Sequence, residues 1–248
     1  MGRILIIGGC GYIGSQLFVY LKNKGYKVDT VDLEWLRNNV DNFALLLEKL
    51  ENQKLIFASS YRVYPLNKKI LFRETYNLRR PLTYYDLAKQ TIEHYAQMSK
   101  VEYYGLRMAT LNGFSPNLRD NQIINKLFLS SLNNVPMVFY AHKKLFSILG
   151  IQDLCRAVER IIESDDKRGL YNLKSFDSTI QLLARKVANY AKSSQPILKD
   201  APKPHGSVII DSSKFSRIFK FKFIESPKSI IESLENLKKN KRGIITSN

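Results

Sequence analysis

Apolar positions along the chain change their period repeatedly, and each change marks an element. A run of strand length, Ile4-Leu5-Ile6-Ile7, breaks at a turn with glycines at 8, 11 and 14, after which a helical period (Ile13, Leu17, Phe18, Leu21) takes over. A second short run, Lys27-Val28-Asp29-Thr30-Val31, reads as a strand and ends in Asp32. Helical spacing returns over 34–51 through Val40, Phe43, Ala44, Leu46, Leu47 and Leu50, and Leu55-Ile56-Phe57-Ala58-Ser59 reads as a buried strand. The stretch 61–81, rich in Arg and Lys and punctuated by Pro65 and Pro81, reads mostly as loop. A helix is predicted over 83–99 and a strand over 101–107; helices follow at 121–132, 152–163, 179–191 and 227–239, with short strands at 137–139 and 170–173. Strands alternating with helices predict an α/β chain with a parallel, doubly wound sheet of the Rossmann-like kind. The organisation expected is a core over 1–115, to which later strands and helices return, and a small mixed α/β lobe over 116–248.

The first strand and its glycines have a chemical reading. A tight turn needs a residue free to take positive φ, and a bound pyrophosphate needs backbone without a Cβ in its way. A third glycine lets helix and strand approach, and the helix N-terminus offers free N–H groups and a positive dipole end. Asp32, closing the second strand, stands where a carboxylate accepts the ribose hydroxyls of NAD, and it would repel the 2′-phosphate of NADP, although Arg37 lies nearby. Gly8, Gly11 and Gly14 with Asp32 are therefore candidate dinucleotide ligands. A glycine-rich βα turn that binds nothing is the alternative.

Composition constrains the picture without redirecting it. The 248 residues are 44% hydrophobic and 25% charged, ordinary for a globular protein of one domain or a domain with a small lobe. No apolar run reaches membrane-spanning length, no leader precedes the first strand, and the two cysteines, Cys10 and Cys155, have no metal-ligand company, so a cytoplasmic protein without a membrane partner is expected. His94, His142 and His205 are too scattered to suggest a metal site. The net charge of +17 attracts phosphate regardless of sequence and allows non-specific nucleic-acid contact. Lys and Arg are nevertheless spread along the chain, the one dense run being Lys238-Lys239-Asn240-Lys241-Arg242.

Tyr85 and Lys89 sit four apart inside a predicted helix, on one face. An ammonium beside a phenol favours the phenolate, which makes Tyr85 a candidate general base for a substrate hydroxyl, with Lys89 also able to hold a ribose. Ser59 and Ser60 end a predicted parallel strand, and carboxyl ends of such strands line the ligand crevice of an open α/β sheet. Ser60 is the candidate partner for the same hydroxyl. A solvated helix face is the competing explanation of Tyr85 and Lys89.

With these residues in order, the chain resembles an extended short-chain dehydrogenase/reductase of the nucleotide-sugar epimerase and dehydratase family. Gly8-Gly9-Cys10-Gly11-Tyr12-Ile13-Gly14 resembles that family's Gly-x-x-Gly-x-x-Gly fingerprint, which adds Tyr12 and Ile13 to the cofactor set. The segment from Asn39 resembles its Asn-Val-x-Gly-Thr helix, Ser59-Ser60-Tyr61-Arg62-Val63-Tyr64 its Ser-Ser-x-x-Val-Tyr segment, and Tyr85 to Lys89 its Tyr-x-x-x-Lys. Leu106-Arg107, Asp153-Leu154 and Tyr171-Asn172-Leu173 follow in the family's order. The resemblance implies Ser60, Tyr85 and Lys89 as catalytic residues and NAD as cofactor, held also by Asn39, Tyr85 and Lys89. It implies a nucleotide-sugar substrate touched by Ser59, Arg107, Lys143 and Asn172, and leaves a homodimer open.

Four departures accompany the likeness. Almost no chain separates Asp32 from Asn39, where the family carries roughly two further β-α units, and each such unit needs a dozen residues or more for its crossover. Pro65 replaces a glycine, Thr110 falls at a family asparagine, and Phe146 stands near a phosphate-binding arginine, with only Lys143 and Lys144 close by. The alternative that follows is a catalytically impaired dinucleotide-binding or scaffold protein on the same shortened fold; a basic RNA-associated protein on that fold, motivated only by the +17 charge, ranks behind it.

Overall fold

The structure, a computed structural model, describes residues 3–31, 41–65, 71–132, 138–140, 145–165, 167–192, 197–199 and 208–235. β1 (Arg3–Ile7) and β2 (Lys27–Val31) run parallel, with Ile4 opposite Val28 and Ile6 opposite Thr30. α1 (Tyr12–Asn23) crosses between them, and its Leu21 closes over Ile6, Tyr26 and Val28. Past residues 32–40 the chain resumes as α2 (Asp41–Lys49), whose Phe43 meets Phe57 edge-on at 5.3 Å between ring centroids.

β3 (Lys54–Ser60) leads through a 3₁₀ turn at Tyr61–Val63 to the two-residue β4 (Leu71–Phe72) and then to α3 (Tyr84–Met98). β5 (Glu102–Met108) and β6 (Thr110–Asn112) follow, then α4 (Ile123–Leu132), β7 (Val138–Tyr140), β8 (Leu145–Gly150) and α5 (Ile151–Ile162). β9 (Gly169–Leu173), β10 (Phe176–Thr179), α6 (Ile180–Ala191), β11 (Ile197–Lys199), β12 (Ile209–Ile210), α7 (Ser213–Ile218) and α8 (Pro227–Leu234) complete the chain.

The expected α/β architecture with parallel strands is present. β3, β5 and β9 form a parallel sheet in the order β3-β5-β9, while β6, β8 and β10 form a mixed one in which β8 is central. Among the described residues no ladder joins β1 to β3, so β1 and β2 stand as a separate parallel pair. Nine residues, 32–40, separate the end of β2 from the start of α2 in the sequence. The outward side chain Leu5 is 59% exposed, although an interior strand of a parallel sheet is ordinarily covered on both faces.

The pair is tied to the rest by α5, which packs along α1. Tyr20 Oη donates to Glu159 at 2.5 Å and Tyr26 Oη to Glu163 at 2.6 Å. The largest core gathers Tyr64, Tyr104 and Tyr171 with Phe215, Phe219 and Phe221; Phe215 and Phe219 stack at 4.5 Å, and Tyr171 meets Phe219 edge-on at 5.2 Å. A second core, built from Ile124, Phe128, Ile148, Val187 and Ile230, joins α4, α6 and α8 over β8. The predicted helices and strands recur within a residue or two where they are described; β4, β6, β8, β10, β11, β12 and α7 are additional to them.

Candidate functional site

β1 ends at Ile7 and Gly8 turns the chain at φ +83°, its N–H donating to the Val31 carbonyl at 2.8 Å and its carbonyl accepting from the Gly11 N–H at 3.0 Å. Gly14 then passes so close that a Cβ there would lie 2.1 Å from the Gly8 carbonyl oxygen. Gly9, outside the expected triplet, is held to the same rule: its Cβ would lie 2.5 Å from Thr30 Cβ. Gly11 caps α1 with no side-chain acceptor, so the first turn presents its N–H groups and positive dipole end at the mouth of the turn. A Cβ on Gly8 would meet nothing within 4 Å, so that side of the turn is open. This cradle fits the pyrophosphate of a dinucleotide.

Of the other expected cofactor residues, Ile13 is half-buried in the first turn of α1. Tyr12 is turned inward: its phenol donates to the Gly113 carbonyl at 2.8 Å and accepts from Asn125 Nδ2 at 3.3 Å, and burial raises its pKa. The turn is latched to the segment after β6, where Ser15 and Ser115 hydroxyls meet at 2.8 Å and Asn117 Nδ2 donates to the Cys10 carbonyl. Asp32, Asn39 and Lys143 lie outside the described residues.

The second half of the site joins the carboxyl end of β3 to the first turns of α3. Thr83 starts α3 by accepting the Asp86 N–H at 3.1 Å, which sets Tyr85 and Lys89 one turn apart with Nζ 5.6 Å from the ring centroid. Lys89 Nζ donates to the Ala58 carbonyl at 2.7 Å, and burial depresses its pKa against the pull of Glu93. Ser60 Oγ accepts the Arg62 N–H at 3.2 Å, which keeps its own proton for donation. Tyr85 is 50% exposed.

Two residues that sequence reasoning passed over organise this corner. Asp86, fully buried, accepts from Arg62 Nε at 3.0 Å and Arg79 Nη2 at 2.6 Å. Burial opposes its ionisation, but the Arg62 hydrogen bond with Thr83 and Arg79 outweighs that and holds the carboxyl below its usual range. The guanidinium of Arg62 also lies over the Tyr85 ring, 5.8 Å from the centroid. A charge between Tyr85 and Lys89 at a helix start was the available signal.

Ser59, Arg107 and Asn172, expected at the substrate, instead form a row inside the fold. The parallel register sets Ser59 opposite Arg107 and Arg107 opposite Asn172 across β3, β5 and β9. Arg107, 3% exposed, grips Glu93 of α3 with Nε at 2.9 Å and Nη2 at 2.7 Å, and Ser59 Oγ donates to the same carboxylate. Arg107 Nη1 donates to Tyr64 Oη at 2.8 Å, Tyr64 donates to Asn172 Oδ1 at 2.8 Å, and Asn172 Nδ2 donates to the Phe72 carbonyl at 3.0 Å. Burial pushes the Tyr64 phenol up to about 12, against the opposing pull of Arg107. The three side chains bond to the protein's own groups.

Comparison with known proteins places these observations. The family model described as the NAD dependent epimerase/dehydratase family matches residues 29–173. No curated protein sequence matches the chain. Solved structures resemble it over nearly its whole length. The UDP-glucuronic acid 4-epimerase of Bacillus cereus, in complex with UDP-glucuronic acid and NAD, is 19% identical with a TM-score of 0.79, covering 94% of this chain and 97% of that one. The UDP-glucose 4-epimerase of Thermotoga maritima, with UDP-glucose, is 17% identical at TM-score 0.78, covering 96% and 99%. The dTDP-glucose 4,6-dehydratase of Bacillus anthracis, in complex with NAD, is 16% identical at TM-score 0.79, covering 98% of each. At these identities the likeness shows the fold.

Proposed function

The chain belongs to the NAD dependent epimerase/dehydratase family, and from that premise we propose that it oxidises a hydroxyl of a nucleotide-linked sugar, with Tyr85 as the general base. The observation that carries this reading is the pairing of Tyr85 with Lys89 on α3, the Lys89 ammonium fastened to the Ala58 carbonyl two residues before Ser60 at the end of β3. The nucleotide-sugar class is supported by two of the structural neighbours, whose complexes hold UDP-glucuronic acid and UDP-glucose.

The first turn of α1 and the glycines before it would hold the NAD pyrophosphate, and Asp32 the adenosine ribose. Bound NAD supplies the acceptor of a hydride and, where the sugar is reduced again, its donor. Tyr85 Oη takes the proton of the sugar hydroxyl, and Ser60 donates its own proton to the same oxygen and so fixes its direction. The Lys89 ammonium, 5.6 Å from the centroid of the Tyr85 ring, is the positive charge that supports Tyr85 in the role of base. In the return step Tyr85 gives the proton back.

The test is Tyr85→Phe. Turnover of a UDP-sugar is expected to fall by about 10²–10⁴-fold, the usual worth of a positioned base, while the heat of NAD binding persists in titration calorimetry. Undiminished turnover overturns the assignment. A scaffold that binds without turning over is the second reading, favoured by the separation of β1 from β3. It requires the unaltered protein to be as inactive as the variant.

A further inference from the structure

We propose that Arg62 is a carboxylate-binding residue of this site and that the preferred substrate carries an acid group on the sugar, as a uronic acid does. The proposal rests on the reading of Tyr85 as the base and extends it to what lies beside the reacting carbon.

Arg62 occupies the 3₁₀ turn immediately after Ser60, and its guanidinium carbon stands 5.8 Å from the centroid of the Tyr85 ring. Its Nε is spent on Asp86 Oδ1 at 3.0 Å. Neither Nη donates to any described residue, and the side chain is 41% exposed. The charge count is equally open. Asp86 supplies one negative charge to both Arg62 and Arg79, and Glu93 is paired with Arg107. Arg62, Arg79 and Lys89 against Asp86 therefore leave two positive charges around one tyrosine, with no second carboxylate paired to them among the described residues.

A half-exposed guanidinium whose Nη groups bond to no described residue presents a planar pair of donors that matches a carboxylate. Its place decides which anion. The diphosphate of a nucleotide sugar sits a full sugar ring from the oxidised hydroxyl, whereas Arg62 lies against the ring of the base itself. An acid on the sugar, near the reacting hydroxyl, meets that geometry. Asp86 fixes Nε from the opposite side and so preorganises the fork, which lowers the ordering cost of binding.

The experiment is calorimetric titration of the full chain, with NAD present, using UDP-glucuronic acid and UDP-glucose as probes, on the unaltered protein, Arg62→Gln and Arg62→Lys. The unaltered protein is expected to bind UDP-glucuronic acid at least ~10-fold more tightly, the worth of one charge-assisted pair. Arg62→Gln is expected to bring the ratio of the two affinities to about one, and Arg62→Lys, which keeps charge and loses the fork, to leave about 3-fold. Should the Gln variant fail to fold, the Lys variant decides, and a ratio there equal to the parent's overturns the proposal. Equal affinities in the unaltered protein, or a ratio that survives Arg62→Gln, likewise overturn the carboxylate site and leave Tyr85 standing. No heat with either sugar overturns the nucleotide-sugar reading, and this proposal with it.

Discussion

At the scale of residues, polar groups divide by which side of a strand they occupy. Ser59 and Ser60 are neighbours at the end of β3, yet one joins the buried row at Glu93 and the other caps the turn beside Tyr85. The rule that strand ends line a crevice is blind to that alternation. Glu93 held the missing signal: it lies four residues after Lys89 among the apolar positions of α3 (Ile92, Ala96), where a carboxylate needs a buried cation. The pair it makes is costly to break from one side. Glu93→Gln leaves the Arg107 charge buried without a counter-charge, and chemical denaturation should report a loss of about 3–5 kcal/mol. The double variant Glu93→Leu with Arg107→Met should recover most of it, since a well-packed apolar pair can replace a buried ion pair. If Glu93→Gln costs less than about 1 kcal/mol, the network is not holding α3 to the sheet.

At the scale of elements, the turn between β1 and α1 was legible because its chemistry is local. Glycine spacing, strand length and helical period all sit within the eighteen residues from Ile4 to Leu21. Gly14→Ala tests the reading directly. The new Cβ would stand 2.1 Å from the backbone oxygen of Gly8, which cannot rotate away as a side chain can, so the turn must open. The expected result is loss of NAD binding by more than ~10-fold with a stability cost of about 1–3 kcal/mol, the usual price of overpacking, read by calorimetry and denaturation. Unchanged NAD affinity would show that the turn holds nothing. β6, β8 and β10 were illegible for the opposite reason. Each is three to six residues long, and β8 is set by pairing with strands more than thirty residues before and about thirty after it. Short strands whose partners are distant leave no local period to read.

At the scale of the whole molecule, the segment before α8 is joined to the start of α5 through one acid whose ionisation the fold resists. Glu225, two residues before α8, accepts the Asp153 N–H at 2.8 Å at the start of α5, whose cap, Gly150, has no side chain to do so. Burial, with the Asp153 charge adding to it, pushes its carboxyl up to about 7 in spite of the backbone hydrogen bonds that oppose the shift. The native chain thus keeps a proton that the unfolded chain has already lost. Unfolding releases that proton between about pH 4.5 and 7, so stability falls as pH rises through that window and is flat in this respect above it. Glu225→Gln retains an oxygen that can accept the α5 N–H and removes the titration. Relative to the parent it should gain on the order of 3 kcal/mol between pH 5 and 8, measured as the difference between two denaturation series. The net charge of +17 supplies the control. Its self-repulsion is a surface effect that salt relieves in parent and variant alike, whereas a buried carboxylate is screened little. A pH-dependent difference that survives 0.5 M salt belongs to Glu225; parallel curves, or a difference that salt abolishes, would assign it to the general charge of the surface.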